Sequence, residues 1–289
     1  MIGSIITGLL YASYLFLICL GLNIIFGVLK ILNLFHGSLY ELGAYMAVTL
    51  VLIISREGFP KILMYPSLII AGLLVGLFGI FIERTVISRL YKRELEAQLL
   101  LTFALTLTFL DIVKMIWGLS GYIVREPMTF LGSVNIGDYI YPQYFFLLIF
   151  LSLFIGLITW IIFFKTRFGK LVGACVFDKD MASAMGLNPS KIYTLVFFIG
   201  AALAGISGAL MVPVIMTYPG VGGEAQTLAF VIMVIGGLKS IKGSLIGSLI
   251  VGLIRAIGIA IFPEIELPLV FLIMILVLLI RPTGLFGEA

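Results

Sequence analysis

The chain has 289 residues, of which 62% are apolar and 11% charged, with a formal net charge of +4 and a mean hydropathy of +1.25. A soluble domain carries roughly 25% charged residues to coat its surface, so this composition excludes a water-soluble globule and implies a surface that faces lipid. The excess of 18 basic over 14 acidic residues does not point to nucleic acid, and Cys19 and Cys175 make neither a disulfide framework nor a metal-ligand spacing.

One crossing takes about 20 apolar residues, which limits the chain to helices and short connections. The apolar runs are continuous and do not alternate with period two, which excludes a barrel. Helices satisfy their own backbone in lipid. The expected fold is therefore an all-α polytopic membrane protein, a single transmembrane domain over residues 1–289 with eight to nine crossings.

In chain order the spans fall at 4–28, 33–55, 63–83, 98–118, 142–164, 192–212, 225–238, 244–262 and 267–281. The first lacks a basic leader and a small-residue cleavage site, so it reads as a retained helix rather than a signal peptide. Residues 225–238 are short for a full crossing and end in Gly236 and Gly237. They form either a ninth span or a re-entrant piece that leaves eight. Residues 119–141 make the main external loop and 165–191 the main internal connection.

With the N-terminus outside, 13 of the 18 basic residues fall on the inside. They are Lys30, Arg84, Arg89, Lys92, Arg93, Lys165, Arg167, Lys170, Lys179, Lys191, Lys239, Lys242 and Arg281. Outside connections hold only Arg56, Lys61 and Arg125, while Lys114 and Arg255 lie within spans. The positive-inside bias predicts an outside N-terminus and a cytoplasmic C-terminus.

Within 165–191, Phe177, Met181, Ala184 and Met185 recur at helical spacing, predicting one amphipathic helix over Ala174 to Leu187 of about three turns. Gly186 supplies its C-cap, with Pro189 beyond. Such a helix either lies in the lipid interface or enters a groove on a soluble partner.

Asn33 and His36 share a helix face, with Gly37 and Glu41 following. Polar groups inside a span need partners or water, so these residues either knit helices together near the inner surface or contact a solute. Small residues spaced by four (Ala201 and Gly205, Ala204 and Gly208, Gly243 and Gly247, Ser248 and Gly252) predict closely packed helices. Intramembrane ionisable groups are functional candidates, here Arg255, Glu224 and the Asp111–Lys114 pair. For Asp111–Lys114 the alternative is a structural ion pair near the outer surface, and for Arg255 it is snorkelling to the interface.

Gly205–Gly208 reads Gly-Ile-Ser-Gly, a protease-like nucleophile motif. A serine nucleophile needs a histidine base, and the only histidine, His36, sits in a span whose inner end lies across the membrane from Ser207. The packing-ridge reading of Ser207 therefore prevails, and Asp111 alone makes no two-aspartate site.

Three segments together resemble the high-affinity branched-chain amino acid permeases of ABC transporters. They are Asn33-x-x-His36-Gly37 with Leu42 to Tyr45; Thr166-x-x-Gly169, Asp178, Ala182 and Gly186-Leu187-Asn188; and the Gly-Gly turn, lysines and small-residue helix of 234–252. One departure is Gly173 before Ala174, where many members carry arginine. The resemblance implies a permease subunit that pairs with a second, homologous permease in the cytoplasmic membrane of a prokaryote. It also implies two cytoplasmic ATPases, an extracytoplasmic solute-binding protein and an amino-acid substrate, with no cofactor or metal. Consistent with a partner ATPase, the chain has no Gly-x-x-x-x-Gly-Lys-Ser/Thr phosphate loop. The resemblance places ATPase coupling on Gly169, Phe177, Asp178, Met181, Ala182, Met185 and Gly186, and the path or its packing on Asn33, His36, Gly37, Glu41 and Arg255. Urea, short amides or another amino acid remain alternative substrates. A secondary transporter or channel working without ATPases is the other class, although no internal repeat of the kind such carriers show is visible.

Overall fold

The computed structural model describes residues 2–91, 93–137 and 139–287. Lys92, one of the basic residues assigned to the inside, falls outside them. In chain order the helices are α1 (Ile2–Leu29), α2 (His36–Arg56), α3 (Met64–Thr85), α4 (Leu95–Trp117), α5 (Glu126–Leu131), α6 (Gln143–Lys165), α7 (Arg167–Phe177), α8 (Lys179–Ala184), α9 (Pro189–Met211), α10 (Val221–Gly236), α11 (Ile241–Ile261) and α12 (Glu266–Ile280). One hairpin, β1 (Ser133–Ile136) and β2 (Tyr139–Pro142), pairs antiparallel between α5 and α6.

Among the described residues, seven helices are long and apolar enough to cross a membrane: α1, α2, α3, α4, α6, α9 and α11. The remaining two apolar helices, α10 and α12, have 16 and 15 residues. At 1.5 Å per residue they reach about 24 and 22 Å, short of the ~30 Å hydrocarbon core.

The centre of the bundle is α1 and α9. In their most apolar stretches 89% and 83% of residues are buried, against 17% in α4 and 22% in α6, which present their sides to lipid. α11 and α9 pack along α1, and α2 and α3 along α9. The four-residue spacing of small residues makes this closeness possible. A Cβ added at Gly252 of α11 would stand 2.5 Å from the Ala12 nitrogen of α1, so only glycine lets these two backbones meet there.

Buried polar side chains then lock the elements together. Asn23 of α1 donates to Ser244 Oγ at 2.7 Å, and its Oδ1 accepts from the Lys239 backbone N–H at 3.0 Å, fastening α1 to the α10–α11 turn. Glu83 of α3 accepts from Thr194 Oγ1 of α9 at 2.7 Å and from the Tyr91 hydroxyl. Burial first, and then the neighbouring Glu83 carboxylate, hold the Tyr91 phenol above its ordinary pKa.

These contacts run α1 antiparallel to α9 and to α11, and α3 antiparallel to α9. The described basic residues assigned to the inside therefore collect at one end of the bundle, with α7 and α8, while Arg56, Lys61 and Arg125 gather at the other with the hairpin. The loop at the hairpin end is ordered by pairing: Tyr122 and Thr217 exchange backbone hydrogen bonds of 2.7 and 2.9 Å, and Tyr65 Oη donates to the Pro127 carbonyl at 2.9 Å.

Two sequence expectations change. The span expected over 33–55 begins its helix only at His36, because residues 30–35 run non-helically back into the bundle with Ile31, Asn33 and Phe35 buried. His36 therefore lies level with Ile18, near the middle of α1, rather than at an inner end. The single helix expected over Ala174 to Leu187 is instead broken at Asp178, whose backbone is extended. Its side chain explains the break: Oδ1 accepts from the Asp180 and Met181 N–H groups at 3.0 and 2.9 Å, starting α8 as a new helix. Gly186, at φ +86°, ends α8 as expected, with Leu187 N–H donating to the Ala182 carbonyl at 3.1 Å.

Candidate functional site

Arg255 sits on α11 where α1, α10 and α12 converge. α10 starts against the end of the Asn33–Glu41 segment and α12 starts beside Gly258 of α11, and each brings a carboxylate of its first turn to this point, Glu224 and Glu266. Negative charge is favoured at helix N-termini, and the guanidinium meets both. Arg255 Nη2 donates to Glu224, Nε is ion-paired with Glu266, and Nη1 donates to the Tyr14 hydroxyl at 2.7 Å. Its guanidinium carbon lies 4.8 Å from the centre of the Tyr11 ring, a cation–π distance. This arrangement differs from a snorkelling arginine, because every direction of the fork is taken by protein.

Beside the cluster is a cavity of about 180 Å³. Tyr11, Tyr14, Tyr40 and Tyr218 line it together with Glu224 and Arg255, and Met211, Ile215 and Met216 complete the wall. The side chains of Arg255 and Glu266 are 13% and 16% exposed, whereas Glu224 is 39% exposed and is the charge that faces the opening. Two carboxylates and one guanidinium leave one negative charge in excess. No group of three potential metal ligands occurs among the described residues.

The Asn33–Glu41 segment forms the seat of α10. Glu41 Oε1 accepts from the Gly220 N–H at 2.8 Å, just before α10, where Gly220 takes φ +98°. The backbones of Gly37 and Gly222 touch. The Asn33 carbonyl accepts from Gln226 Nε2 at 3.3 Å, its side chain accepts from the Phe35 N–H at 3.1 Å, and His36 Nε2 donates to the Ile18 carbonyl at 3.1 Å. Asn33, His36, Gly37 and Glu41 do not line the cavity; their neighbour Tyr40 does.

Ser207 Oγ donates to the Tyr14 carbonyl at 2.7 Å. Ser207 and His36 are thus about one turn of α1 apart, not on opposite faces, since residues 30–35 climb before α2 starts. Each donates to a backbone carbonyl of α1 rather than to the other, so the two are not joined as nucleophile and base. Asp111 and Lys114 form an exposed i,i+3 pair at 3.0 Å, apart from the cavity.

At the other end, the α7–α8 elbow holds Phe177, Met181 and Met185 clear of the bundle, at 93%, 59% and 78% exposure. Ala182 is buried beneath them, and Gly169 lets the start of α7 pack on the Phe163 carbonyl at the end of α6.

A model of the family described as branched-chain amino acid transport system / permease component matches residues 4–279. This chain belongs to that family. Its members are transport components and not themselves enzymes. A high-affinity branched-chain amino acid transport system permease protein, BraD of Pseudomonas aeruginosa, is 29% identical over 99% of this chain and 95% of its own length. The LivH permease protein of Escherichia coli K12 is 27% identical over 100% and 94%, and a probable LivH of Methanocaldococcus jannaschii 25% over 96% and 90%. The solved structure of PsaBC from Streptococcus pneumoniae in complex with Fab overlays with a TM-score of 0.49 at 14% identity, covering 97% of this chain and 92% of that one.

Sequence reasoning had Arg255 and Glu224 as separate suspects and did not include Tyr11, Tyr14, Tyr40, Tyr218 or Glu266. A signal existed in Tyr11 and Tyr14, an i,i+3 polar-tipped pair inside an otherwise apolar span.

Proposed function

We propose that this chain is the membrane-spanning permease subunit of an ATP-binding-cassette importer that passes branched-chain amino acids across the cytoplasmic membrane of a prokaryote. The observation that carries this reading is the family match across residues 4–279, supported by relatives of nearly equal length whose names specify that transport system. The full importer would hold a second, homologous permease, two cytoplasmic ATPases and an extracytoplasmic solute-binding protein.

In this reading α10 and α12 complete nine crossings, with the N-terminus outside and the C-terminus cytoplasmic. The gathering of basic residues at the α7–α8 end supports that orientation. α10 starts beside the cavity and α12 beside Arg255 and Gly258 of α11, short of the end of that helix, which accounts for their length. Residues 165–191 serve as the coupling segment, with Phe177, Met181 and Met185 entering a groove on the ATPase. ATP-driven closure of the ATPases pushes this elbow and switches the bundle between outward and inward access. Residues 119–141 face the binding protein.

The test is reconstitution of the complete importer in proteoliposomes, with uptake of labelled leucine, isoleucine, valine and urea measured with and without ATP. ATP-dependent uptake of the three amino acids is expected. Uptake of urea alone, or leucine uptake without ATPases, would overturn the reading.

A further inference from the structure

We infer that the cavity beside Arg255 is a zwitterion site, in which Arg255 takes a solute carboxylate and Glu224 takes the ammonium group of the same molecule. This deepens the importer reading by locating where the amino acid is held, and rests on that reading for the identity of the solute.

The pairing of both groups carries the inference. Opening the Glu224–Arg255 pair leaves the Glu224 carboxylate as an unpaired charge in low dielectric and Arg255 Nη2 without its acceptor, while Glu266 still pairs the guanidinium. A zwitterion entering between Glu224 and Arg255 turns one ion pair into two and adds no net charge. A carboxylate-only solute would leave Glu224 unpaired and add to the excess negative charge, and an amine-only solute would leave Arg255 Nη2 without the acceptor that Glu224 had been. The site therefore favours free α-amino acids over amides, keto acids and urea.

Geometry says which bond opens. Arg255 is anchored on three sides by Glu266, Tyr14 and the Tyr11 ring, so it stays in place. Glu224 is the most exposed of the three charges, faces the cavity, and stands in the first turn of α10, next to the Gly220 hinge-like bend. Its displacement frees Nη2 of Arg255, which can donate a charge-assisted hydrogen bond to a carboxylate while Nη1 stays on Tyr14.

Size and lining agree. The cavity, at about 180 Å³, suits a small solute. It is well below the 300–1,000 Å³ or so of pockets for larger ligands. Away from the charges, Met211, Ile215, Tyr40 and Tyr218 offer an apolar wall for an aliphatic side chain, with Met as an adaptable surface.

Met216 lines the cavity and is 47% exposed, while both native cysteines, Cys19 and Cys175, are buried. Met216→Cys in the reconstituted importer therefore reports cavity occupancy by its rate of labelling with a polar maleimide, without ATP or binding protein. Millimolar leucine is expected to slow labelling several-fold. Leucinamide, a cation, and 4-methyl-2-oxopentanoate, an anion with the same side chain, are expected not to. Adding Glu224→Gln, which keeps the shape and the hydrogen bond but removes the charge, should weaken leucine protection by about tenfold in concentration, the worth of one charge-assisted bond. Equal protection by leucinamide, no protection by leucine, or protection unchanged by Glu224→Gln would overturn the inference. If Glu224→Gln prevents assembly, the comparison of three solutes on Met216→Cys alone decides. Protection by leucine without ATP-driven uptake would sink the importer reading and keep the site; uptake without protection would do the reverse.

Discussion

Phe177→Ala separates folding from coupling, because the side chain is 93% exposed and so adds almost nothing to the folded bundle. If the ATPase buries it fully, truncation removes about 1.5–3 kcal/mol of apolar burial. That is a fall of about ten- to one-hundredfold in docking affinity. The assay is titration of the ATPase onto the permease pair held in lipid nanodiscs, followed by interferometry, with thermal melting of the same sample. Docking should fall while the melting point of the permease stays where it was. Val172→Ala is the opposite control: Val172 sits on the same α7 but is buried, and losing its methyls should lower stability by about 1–3 kcal/mol. Undiminished docking of Phe177→Ala, or a fall in docking matched by a fall in melting point, would refute the assignment of this elbow to the ATPase.

Three further outcomes are expected. Ser133→Cys in the hairpin should react with an impermeant thiol reagent on intact cells, and Lys179→Cys in α8 only after permeabilisation; the reverse pattern would invert the proposed topology. Asn23→Leu leaves the Lys239 N–H without its acceptor, while Ser244 keeps its bond to the Ser240 carbonyl, and should cost about 1–3 kcal/mol in thermal unfolding, whereas a neutral effect would mean that water takes over the lost bond. Gly252→Val drives a side chain into the Ala12 and Gly8 backbone of α1 and should cost about 1–3 kcal/mol, read as lower yield and melting point; an unchanged melting point would show that α1 and α11 part freely.

The helices and the small-residue ridges were legible because both are local. Continuous apolar runs mark α1, α4 and α6 without help from any partner, and the Gly252 and Gly205 spacings announce close approach whatever helix approaches. Two local features were misread for one reason: a side chain competed with the helix. Asp178 prefers to cap α8 over continuing α7, and an aspartate at the fifth position of a helical pattern is as much a start signal as a surface residue. Likewise, nothing in the apolar run through Ile31 and Leu32 reveals that the backbone there is non-helical, since contacts with α4 and α10 replace the helical pattern. The misplacement of His36 follows from that one segment.

The ionic cluster was illegible for a different reason. Glu224 precedes Arg255 by 31 residues and Glu266 follows by 11, on three separate helices, and no spacing rule connects them. What joins them is where α10 and α12 begin. A helix that starts at the membrane surface meets water with its first-turn carboxylate, and that carboxylate needs no partner. A helix of 16 or 15 residues that must still reach the α7–α8 end starts inside instead, and its first-turn carboxylate then requires a cation at the same depth. Two short apolar helices with first-turn glutamates thus call for a cation between them once their starting depth is seen. Arg255 is the arginine whose helix reaches that depth, and Glu41, capping the approach to α10 from the opposite side, fixes where the depth is. Short helices with acidic first turns in a chain otherwise made of full spans are therefore a sign of a charged interior site, and the solute site inferred here lies where that sign points.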